Sequence, residues 1–292
     1  MQKKTIRTVI NFCTNDYRYL KLCIEAVAPF SEEVIVPVCD HFFNGEKENR
    51  YLLNEAYKNN PKCRFIEYRF PEEKPYGSNP PITTKDVNYK HYMHSTSRYL
   101  GFTKSIKTTD YTLFIDVDEI VDTERFINWW NKVDDFSFNA LRFYSYFYFR
   151  ESQYRCKSYF SVNGILVKNS VIENPEIILA IGERLGLYLQ IQQEPIPYIL
   201  GLDHKPLFHH YSWVRTKEEL EKKVTTWGHA HESDWLDRIQ EEYSSSFCMM
   251  DYVFYHRYEK VDPIHNPMEV PIPKEMEEGS HTKLNFDNVS YI

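Results

Sequence analysis

The chain has 292 residues, of which 42% are hydrophobic and 26% charged, a composition typical of a folded globular protein. Its formal net charge of −7 argues against a general grip on the phosphates of DNA or RNA, which requires a basic surface. No stretch approaches the roughly 18 consecutive apolar residues of a membrane-spanning helix, so we expect membrane contact to be peripheral at most.

The cysteines and the N-terminus indicate where the protein works. Six cysteines are scattered without C-x-x-C spacing, and several lie inside apolar runs, where a reduced thiol behaves as a small hydrophobic side chain. The N-terminal segment "MQKKTIRTVINFCTND" is basic, but polar residues interrupt its apolar run too soon for a signal-peptide core. We therefore expect a cytoplasmic protein, and the cysteine pattern predicts no structural zinc site.

Two strand–helix units and a third strand open the chain. "TVINFC" is β-branched and apolar, "TND" supplies a helix cap, and Leu20, Cys23, Ile24 and Val27 then recur at helical spacing. "EEVIVPVCD" is a second strand ending at Asp40, "EKENRYLLNEAYKNN" a second helix and "CRFIEYRF" a third strand. This β-α-β order predicts a parallel sheet with helices on both faces.

A loop separates these units from the fourth strand. Residues 71–87 are dense in proline, which predicts irregular structure, and loops of this length are often functional. "YKHYMHSTSRYLGFTKSIK" is then a long helix, "YTLFIDVDEIVD" begins as the fourth strand, and "TERFINWWNKV" is a helix. Asp116, Asp118 and Glu119 therefore lie where the fourth strand ends.

The second half of the chain has a different pattern. "FNALRFYSYFYF" and "KSYFSVNGILVKN" predict antiparallel strands, "PLFHHYSWVR" a further strand, and "TKEELEKKVTTWGH" a helix capped by Thr216, while residues 171–197 are ambiguous. The last thirty or so residues are proline-rich and charged, which is typical of a loosely attached tail. We expect one α/β domain with a mixed, mainly parallel sheet, built from a first half at residues 1–135 and a second half at residues 136–262, with residues 263–292 as the tail.

Polar residues follow three of the predicted parallel strands. They are Thr14, Asn15 and Asp16 after the first strand, Asp40 after the second, and Asp116 with Asp118 after the fourth. In an open α/β sheet, ligands bind at the carboxyl ends of the strands, so we expect these side chains to lie along one edge. Carboxylate oxygens are ligands that Mg²⁺ or Mn²⁺ prefers. The alternative is that the carboxylates are solvated residues of a first helical turn.

These residues resemble a known family. The segments "TVINFCTNDYRYLKLCIEAVAPFSEEVIVPVCD" and "SRYLGFTKSIKTTDYTLFIDVDE" resemble nucleotide-sugar glycosyltransferases of the GT-A fold, a Rossmann-like fold, and within it the broad family-2-like group with a D-x-D motif. The resemblance covers residues 5–135, and it implies that residues 1–135 bind the sugar donor while residues 136–262 bind the acceptor and carry out catalysis. It implies that Thr14, Asn15, Asp16, Asp40, Arg98 and Asp116 contact the nucleotide sugar, and that Asp116 and Asp118 hold Mn²⁺ or Mg²⁺ on the donor diphosphate.

A late segment extends this resemblance. "HYSWVR", residues 210–215, is similar to an H-Y-G-W-V-R segment of some relatives, with Ser212 at the glycine position, and the resemblance implies that a late histidine completes the metal ligands. His209 and His210 face opposite ways in a strand, and we favour His210 as the ligand. The alternative is that both histidines are ordinary polar or buried residues.

The acceptor side is harder to identify from sequence. An inverting transfer requires a carboxylate to take the proton of the acceptor hydroxyl, and we select Asp203 and Glu183 as catalytic candidates over Glu151 and Glu119. Aromatic side chains pack against sugar rings, and the candidates are Trp213, Trp227 and the alternating Tyr144, Tyr146 and Tyr148. The resulting hypothesis is a metal-dependent transferase that moves a sugar from a nucleotide-diphosphate donor to a glycan or glycoconjugate acceptor.

Two other functions compete with this hypothesis. A haloacid-dehalogenase-like phosphatase also carries D-x-D at a strand end, although Ile120 stands where such enzymes usually have Thr or Val. The second alternative is a non-catalytic protein that binds a nucleotide or glycan on the same fold. Finally, His229 and His231 form an H-x-H pair in "WGHAHESDW", which we interpret as surface histidines because the sequence offers no third ligand nearby.

Overall fold

The computed structural model describes residues 4–70, 89–133, 138–160, 164–179, 182–192, 198–227, 229, 232–274 and 282–292. The predicted loop at residues 71–87 lies outside these ranges. The strands are β1 (Ile6–Asn11), β2 (Ser31–Cys39), β3 (Arg64–Tyr68), β4 (Tyr111–Asp116), β5 (Glu119–Val121), β6 (Ala140–Arg142), β7 (Ser145–Phe149), β8 (Glu151–Cys156), β9 (Ile165–Lys168), β10 (Phe208–Trp213), β11 (Tyr258–Lys260) and β12 (Val289–Tyr291). The helices are α1 (Tyr17–Val27), α2 (Arg50–Asn59), α3 (Tyr89–Thr103), α4 (Thr123–Lys132), α5 (Glu183–Ile191), α6 (Lys217–Thr226) and α7 (Trp235–Tyr243).

The first sheet has the strand order β12-β3-β2-β1-β4-β9-β6, and within it β9 runs opposite to the other strands. The β-α-β order of the first half thus gives the parallel sheet that the sequence predicts. β1 lies between β2 and β4, so the chain changes direction across the sheet at β1. Such a switch point opens a crevice at the carboxyl ends of the two strands, where Asn11 is paired with Asp116.

Alternation along the strands gives each face of this sheet its own core. Leu113 and Ile115 pack with residues of α1, α2 and α4, whereas Phe114 packs with residues of α3 and α5. Because strand side chains alternate, Asp116 is on the same side as Phe114. The first carboxylate of the D-x-D motif is therefore directed toward α3 and α5.

Helix α3 lies very close to the sheet at Gly101. A β-carbon at this position would meet a methyl group of Val9 and would lie 2.9 Å from Cγ of Pro37, both on neighbouring strands. Glycine is required here because the helix backbone approaches the strands more closely than a side chain allows. Arg98 is on the same helix, three residues before Gly101, and is almost fully buried.

The second sheet has the strand order β11-β8-β7-β10-β5. Its edge strand β5 begins at Glu119 and pairs antiparallel with β10, so that Glu119 lies opposite His210. This pairing brings the late histidine segment beside the carboxylates that follow β4. The predicted strand at "PLFHHYSWVR" and the predicted cap of α6 are both present, and Thr216 and Glu219 form a capping box.

The second half of the chain is interleaved with the first more than the sequence indicates. β6 and β9 belong to the first sheet, and β5 belongs to the second. The C-terminal segment also differs from the predicted loose tail, because β12 extends the first sheet by pairing in parallel with β3. Within the described residues, no helix is both long and apolar enough to cross a lipid bilayer.

Candidate functional site

A cavity of about 520 Å³ opens at the carboxyl ends of β1 and β4. Five of the residues selected from the sequence for donor or metal binding line it, namely Asn15, Asp16, Asp116, Asp118 and His210. The switch point predicts such a crevice, and the pairing of β5 with β10 closes one side of it with the histidine segment. The first and fourth strand ends and the late histidine therefore meet at one cavity.

Asp118 is buried and surrounded by positive charge. Lys223 Nζ donates to its Oδ2 at 2.8 Å, and Arg215 Nη2 donates to the same oxygen at 3.4 Å. Burial alone would raise the pKa of Asp118, but Lys223, His210 and Arg215 hold it well below its usual range. Asp118 is therefore ionised at neutral pH.

Asp116 is held between two arginines. Arg98 Nη2 donates to Oδ1 at 3.0 Å, and Arg184 Nη2 donates to Oδ2 at 2.9 Å. These arginines come from α3 and α5, the two helices on the side of the sheet toward which Asp116 is directed. Arg98 itself does not line the cavity. It contacts Asp116 from helix α3 and thereby helps to position this carboxylate.

Glu119 is fully buried and belongs to the same network. Arg184 donates to both of its carboxylate oxygens, at 2.5 and 2.8 Å, and the backbone N–H of Asp116 donates to Oε2 at 3.0 Å. Burial raises the pKa of Glu119 and outweighs the opposing effect of Arg184. Asp122, not Glu119, caps helix α4. Glu119 thus fixes the guanidinium of Arg184 beside Asp116.

We call Asp16, Asp116, Asp118 and Glu119 the carboxylate rim. Arg215 donates to Asp16 as well as to Asp118, and Lys223 Nζ lies 3.9 Å from Asp16. In the described part of the chain, the rim is matched by four cations, which are Arg98, Arg184, Arg215 and Lys223. Buried charges are stable only when they are paired in this way.

The donors of Asp118 and His210 fit a divalent cation. His210 Nε2 lies 3.7 Å from Asp118 Oδ1, and ligands at about 2.1 Å from one ion are roughly 3 to 3.5 Å apart. Burial is the main cause that lowers the pKa of His210, to about 4, so the imidazole is neutral and its nitrogen can bind metal. Asp116, the third predicted ligand, has both oxygens engaged by arginine. His209 is buried against the Tyr148 hydroxyl, 2.8 Å away, and does not line the cavity.

Thr14 and Asp40 do not line the cavity, and both form hydrogen bonds within the loops around it. The backbone N–H of Thr14 donates to Glu48, and Asp40 Oδ1 accepts from the backbone N–H of Phe70 at 2.7 Å. Asn15 does line the cavity, and its Nδ2 donates to Thr226 Oγ1 at 2.9 Å.

The two catalytic candidates have different positions. Asp203 is exposed, pairs with Arg125 Nη2 at 2.6 Å and does not line the cavity, so its geometry does not suit a base at this site. Its polar loop position gave no sign of this pairing in the sequence. Glu183 is the first residue of α5, and its side chain lies outside the described residues. Its neighbours Gly182 and Arg184 line the cavity.

Three further charged residues that the sequence patterns did not point to also line the cavity, namely Arg184, Lys223 and Glu48. Lys223 carried a signal, since it is on the face of α6 that also buries Leu220 and Val224, where a lysine needs a partner. Arg184 lies in the stretch whose structure the sequence left ambiguous. Of the aromatic candidates, Trp213 and Trp227 line the cavity, whereas Tyr148 is buried.

No family model matches the sequence, and no curated protein matches it. Several solved structures align with this chain, and the three described next have TM-scores below 0.5. One is a glycosyltransferase involved in the glycosylation of the major capsid of PBCV-1, with 16% identity and a TM-score of 0.34 over 75% of this chain and 98% of that chain. Another is the inositol-1-phosphate CTP transferase from T. maritima, with 8% identity and a TM-score of 0.43 over 82% of this chain and 97% of that chain. A third is the glycosyltransferase GlyE of Streptococcus pneumoniae TIGR4, with 13% identity and a TM-score of 0.32 over 83% of this chain and 64% of that chain.

Proposed function

We propose that this protein is a glycosyltransferase that moves a sugar from a nucleotide-diphosphate donor to a hydroxyl group of a glycan or glycoconjugate. The observation that carries the proposal is the cavity at the switch point of the sheet, where Asp118 and His210 lie beside the cations Arg184 and Lys223. A diphosphate needs positive charge along its length, and a divalent ion needs oxygen and imidazole ligands. One cavity offers both.

In this proposal Arg184 and Lys223 bind the donor diphosphate. Both line the cavity, and both are already held by rim carboxylates, so their positive groups have little freedom to reorient. Charges that are fixed before the substrate arrives stabilise a departing diphosphate without the cost of reorganisation. Asn15 and Asp16, which follow β1 and line the cavity, contact the nucleoside in this proposal.

Asp118 and His210 hold the divalent cation in this proposal, with Asp116 beside them. When bound, Mn²⁺ or Mg²⁺ offsets negative charge on the leaving diphosphate. Lys223 donates to Asp118 Oδ2, which leaves Oδ1 directed toward His210. In this proposal Asp118 therefore binds the metal ion through one carboxylate oxygen and holds the ammonium group of Lys223 in place through the other.

The acceptor binds on the aromatic side of the cavity. Trp213 and Trp227 line it with their rings at 75° to one another, and the C–H faces of a sugar pack well against such surfaces. The base that takes the proton of the acceptor hydroxyl remains a prediction, and Glu183 is the candidate whose chain neighbours line the cavity.

The test is a panel of nucleotide sugars, assayed with and without Mn²⁺ for thermal stabilisation and for donor hydrolysis. We expect one donor to raise the Tm and to be hydrolysed only when metal is present. Turnover of an aryl phosphate without any donor hydrolysis would support the phosphatase alternative. Metal-dependent donor binding with no turnover, in the presence of a glycan acceptor panel, would support the non-catalytic alternative.

A further inference from the structure

We propose a transition-metal site on the wall of this cavity, separate from the carboxylate rim and formed by His91, His229 and Glu232. We call these three residues the histidine wall. Each offers one ligand atom, and the three atoms all lie within 4.8 Å of one another. All three residues line the cavity.

The distances within the histidine wall are close to those of a metal site. His91 Nε2 lies 3.6 Å from Glu232 Oε1, and His229 Nδ1 lies 2.6 Å from the same oxygen. Tetrahedral ligands at about 2.0 to 2.2 Å from zinc are roughly 3.3 Å apart. Small rotations of three side chains, one of them exposed, therefore convert the arrangement into a coordination shell.

The ligand types favour zinc or a similar late transition metal over magnesium. Two imidazoles and one carboxylate are a recurrent three-residue zinc set that leaves a fourth position open. Magnesium prefers an all-oxygen shell and keeps its waters. Since all three side chains line the cavity, the open position of a bound ion is available to water or to a substrate oxygen.

The surroundings of His229 hold its backbone in place and pack against its ring. Trp235 Nε1 donates to the backbone carbonyl oxygen of His229 at 2.8 Å, and the Trp227 ring meets the His229 ring nearly edge-on, with centroids 5.3 Å apart. The two imidazoles are also nearly perpendicular, with centroids 5.1 Å apart. Bulky apolar neighbours that fix the backbone and limit solvent are a common feature of metal sites.

The ligands come from distant parts of the chain. His91 is in the first turn of α3, whereas His229 and Glu232 lie between α6 and α7. A bound ion would therefore join α3 to this connection across the cavity. The sequence offered only the H-x-H pair of His229 and His231, and His231 lies outside the described residues. The partners of His229 are supplied by the fold.

The test is Zn²⁺ titration of the full chain by calorimetry, with Co²⁺ absorption as the spectroscopic readout. In the Asp118→Asn background, where the rim does not contribute a site, we expect His91→Ala and Glu232→Gln to weaken Zn²⁺ binding by more than the roughly 10- to 100-fold caused by loss of an outer-shell partner, and to remove the Co²⁺ bands. Glu232 is exposed, so Glu232→Gln tests the site without disturbing the core.

Two controls separate this site from the rim. His94→Ala removes a histidine that lies one turn along α3 and lines the same cavity, and Asp118→Asn removes the rim ligand. Both should retain Zn²⁺ binding and the Co²⁺ bands. The proposal is overturned if the wild-type chain does not bind Zn²⁺, if His91→Ala and Glu232→Gln bind it as the wild type does, or if Asp118→Asn alone abolishes binding. None of these readouts depends on sugar transfer.

Discussion

The carboxylate rim, of which Asp16, Asp116 and Asp118 line the cavity, and the histidine wall differ in how their charges are paired. Asp118 and Glu119 at the rim are almost fully buried, and each is held by an arginine or lysine. His229 and Glu232 on the wall are about 40% exposed and bond to one another. A buried carboxylate is stable only beside a cation that the protein itself supplies. A partly exposed carboxylate can exchange its protein partner for a metal ion. The rim is therefore a fixed frame, and the wall is adjustable.

The largest effect should come from breaking that frame at Arg184. Arg184→Met leaves Glu119 buried without its cation, and removal of one member of a buried ion pair costs about 3 to 5 kcal/mol. Denaturant unfolding measures the loss. The double variant Glu119→Gln/Arg184→Met is the control and should recover part of it. A loss below about 1 kcal/mol for Arg184→Met would mean that the frame is not rigid.

Glu48, which has no salt bridge to another described residue, tests whether such a buried acid behaves differently from the rim. Burial raises its pKa to about 7, although the Thr14 hydroxyl and N–H donate to it. A raised pKa gives stability that is complete below about pH 4.5 and lost as the pH rises through about 7.

Glu48→Gln should remove this loss, which amounts to at most about 3 kcal/mol. The measurement is the free energy of unfolding of both proteins from pH 4 to 8, because the difference between them isolates Glu48 from other titrating groups. Parallel curves for the variant and the wild type would contradict the raised pKa.

Asp118 tests the rim as a metal and donor site. Asp118→Asn should reduce Mn²⁺-dependent donor binding by more than the roughly 10- to 100-fold caused by loss of an outer-shell partner, because it removes the charged ligand that faces His210. Calorimetry with the donor identified in the screen, with and without Mn²⁺, measures the change. The double variant with Lys223→Met separates the loss of metal from the effect of an unpaired lysine. Unchanged metal dependence in Asp118→Asn would disprove the metal assignment.

The smallest effect should be at Asp203. This residue pairs with Arg125 at the surface, and an exposed ion pair contributes about 0 to 1 kcal/mol. Asp203→Asn should therefore change both stability and kcat little. Glu183→Gln is the matched comparison, because Glu183 is the remaining predicted base. A large loss of kcat in Asp203→Asn alone would restore Asp203 as the catalytic candidate.

Sequence patterns predicted the parts of this molecule that depend on local order. Strand periodicity and the β-α-β order indicated the parallel half of the first sheet, and the polar strand ends led to Asp16, Asp116 and Asp118, which do line one cavity. His210 was selected from its segment, and the pairing of β5 with β10 brings it to Asp118. These features follow from hydrophobic periodicity and sheet topology.

The remaining features depend on tertiary contacts that leave little local trace. Arg184 is in a segment without clear periodicity, and the approach of His91 to His229 depends on how α3 is placed on the sheet. The pairing of β12 with β3 joins the C-terminal segment to a strand of the first half of the chain through only three residues, a length that resembles a loop when read alone. Partners that are far apart in sequence appear only when the fold is known.

Gly101 carries no charge, but its small size affects an ion pair of the carboxylate rim. A single hydrogen atom at this residue sets the height of α3 above β1 and β2, and Arg98 reaches Asp116 from the preceding turn of the same helix. An added methyl group would push helix α3 away from β1 and β2, and this shift would move the guanidinium of Arg98 away from the carboxylate of Asp116. The ion pair between Arg98 and Asp116 therefore depends on the size of Gly101, a residue that is not part of the pair.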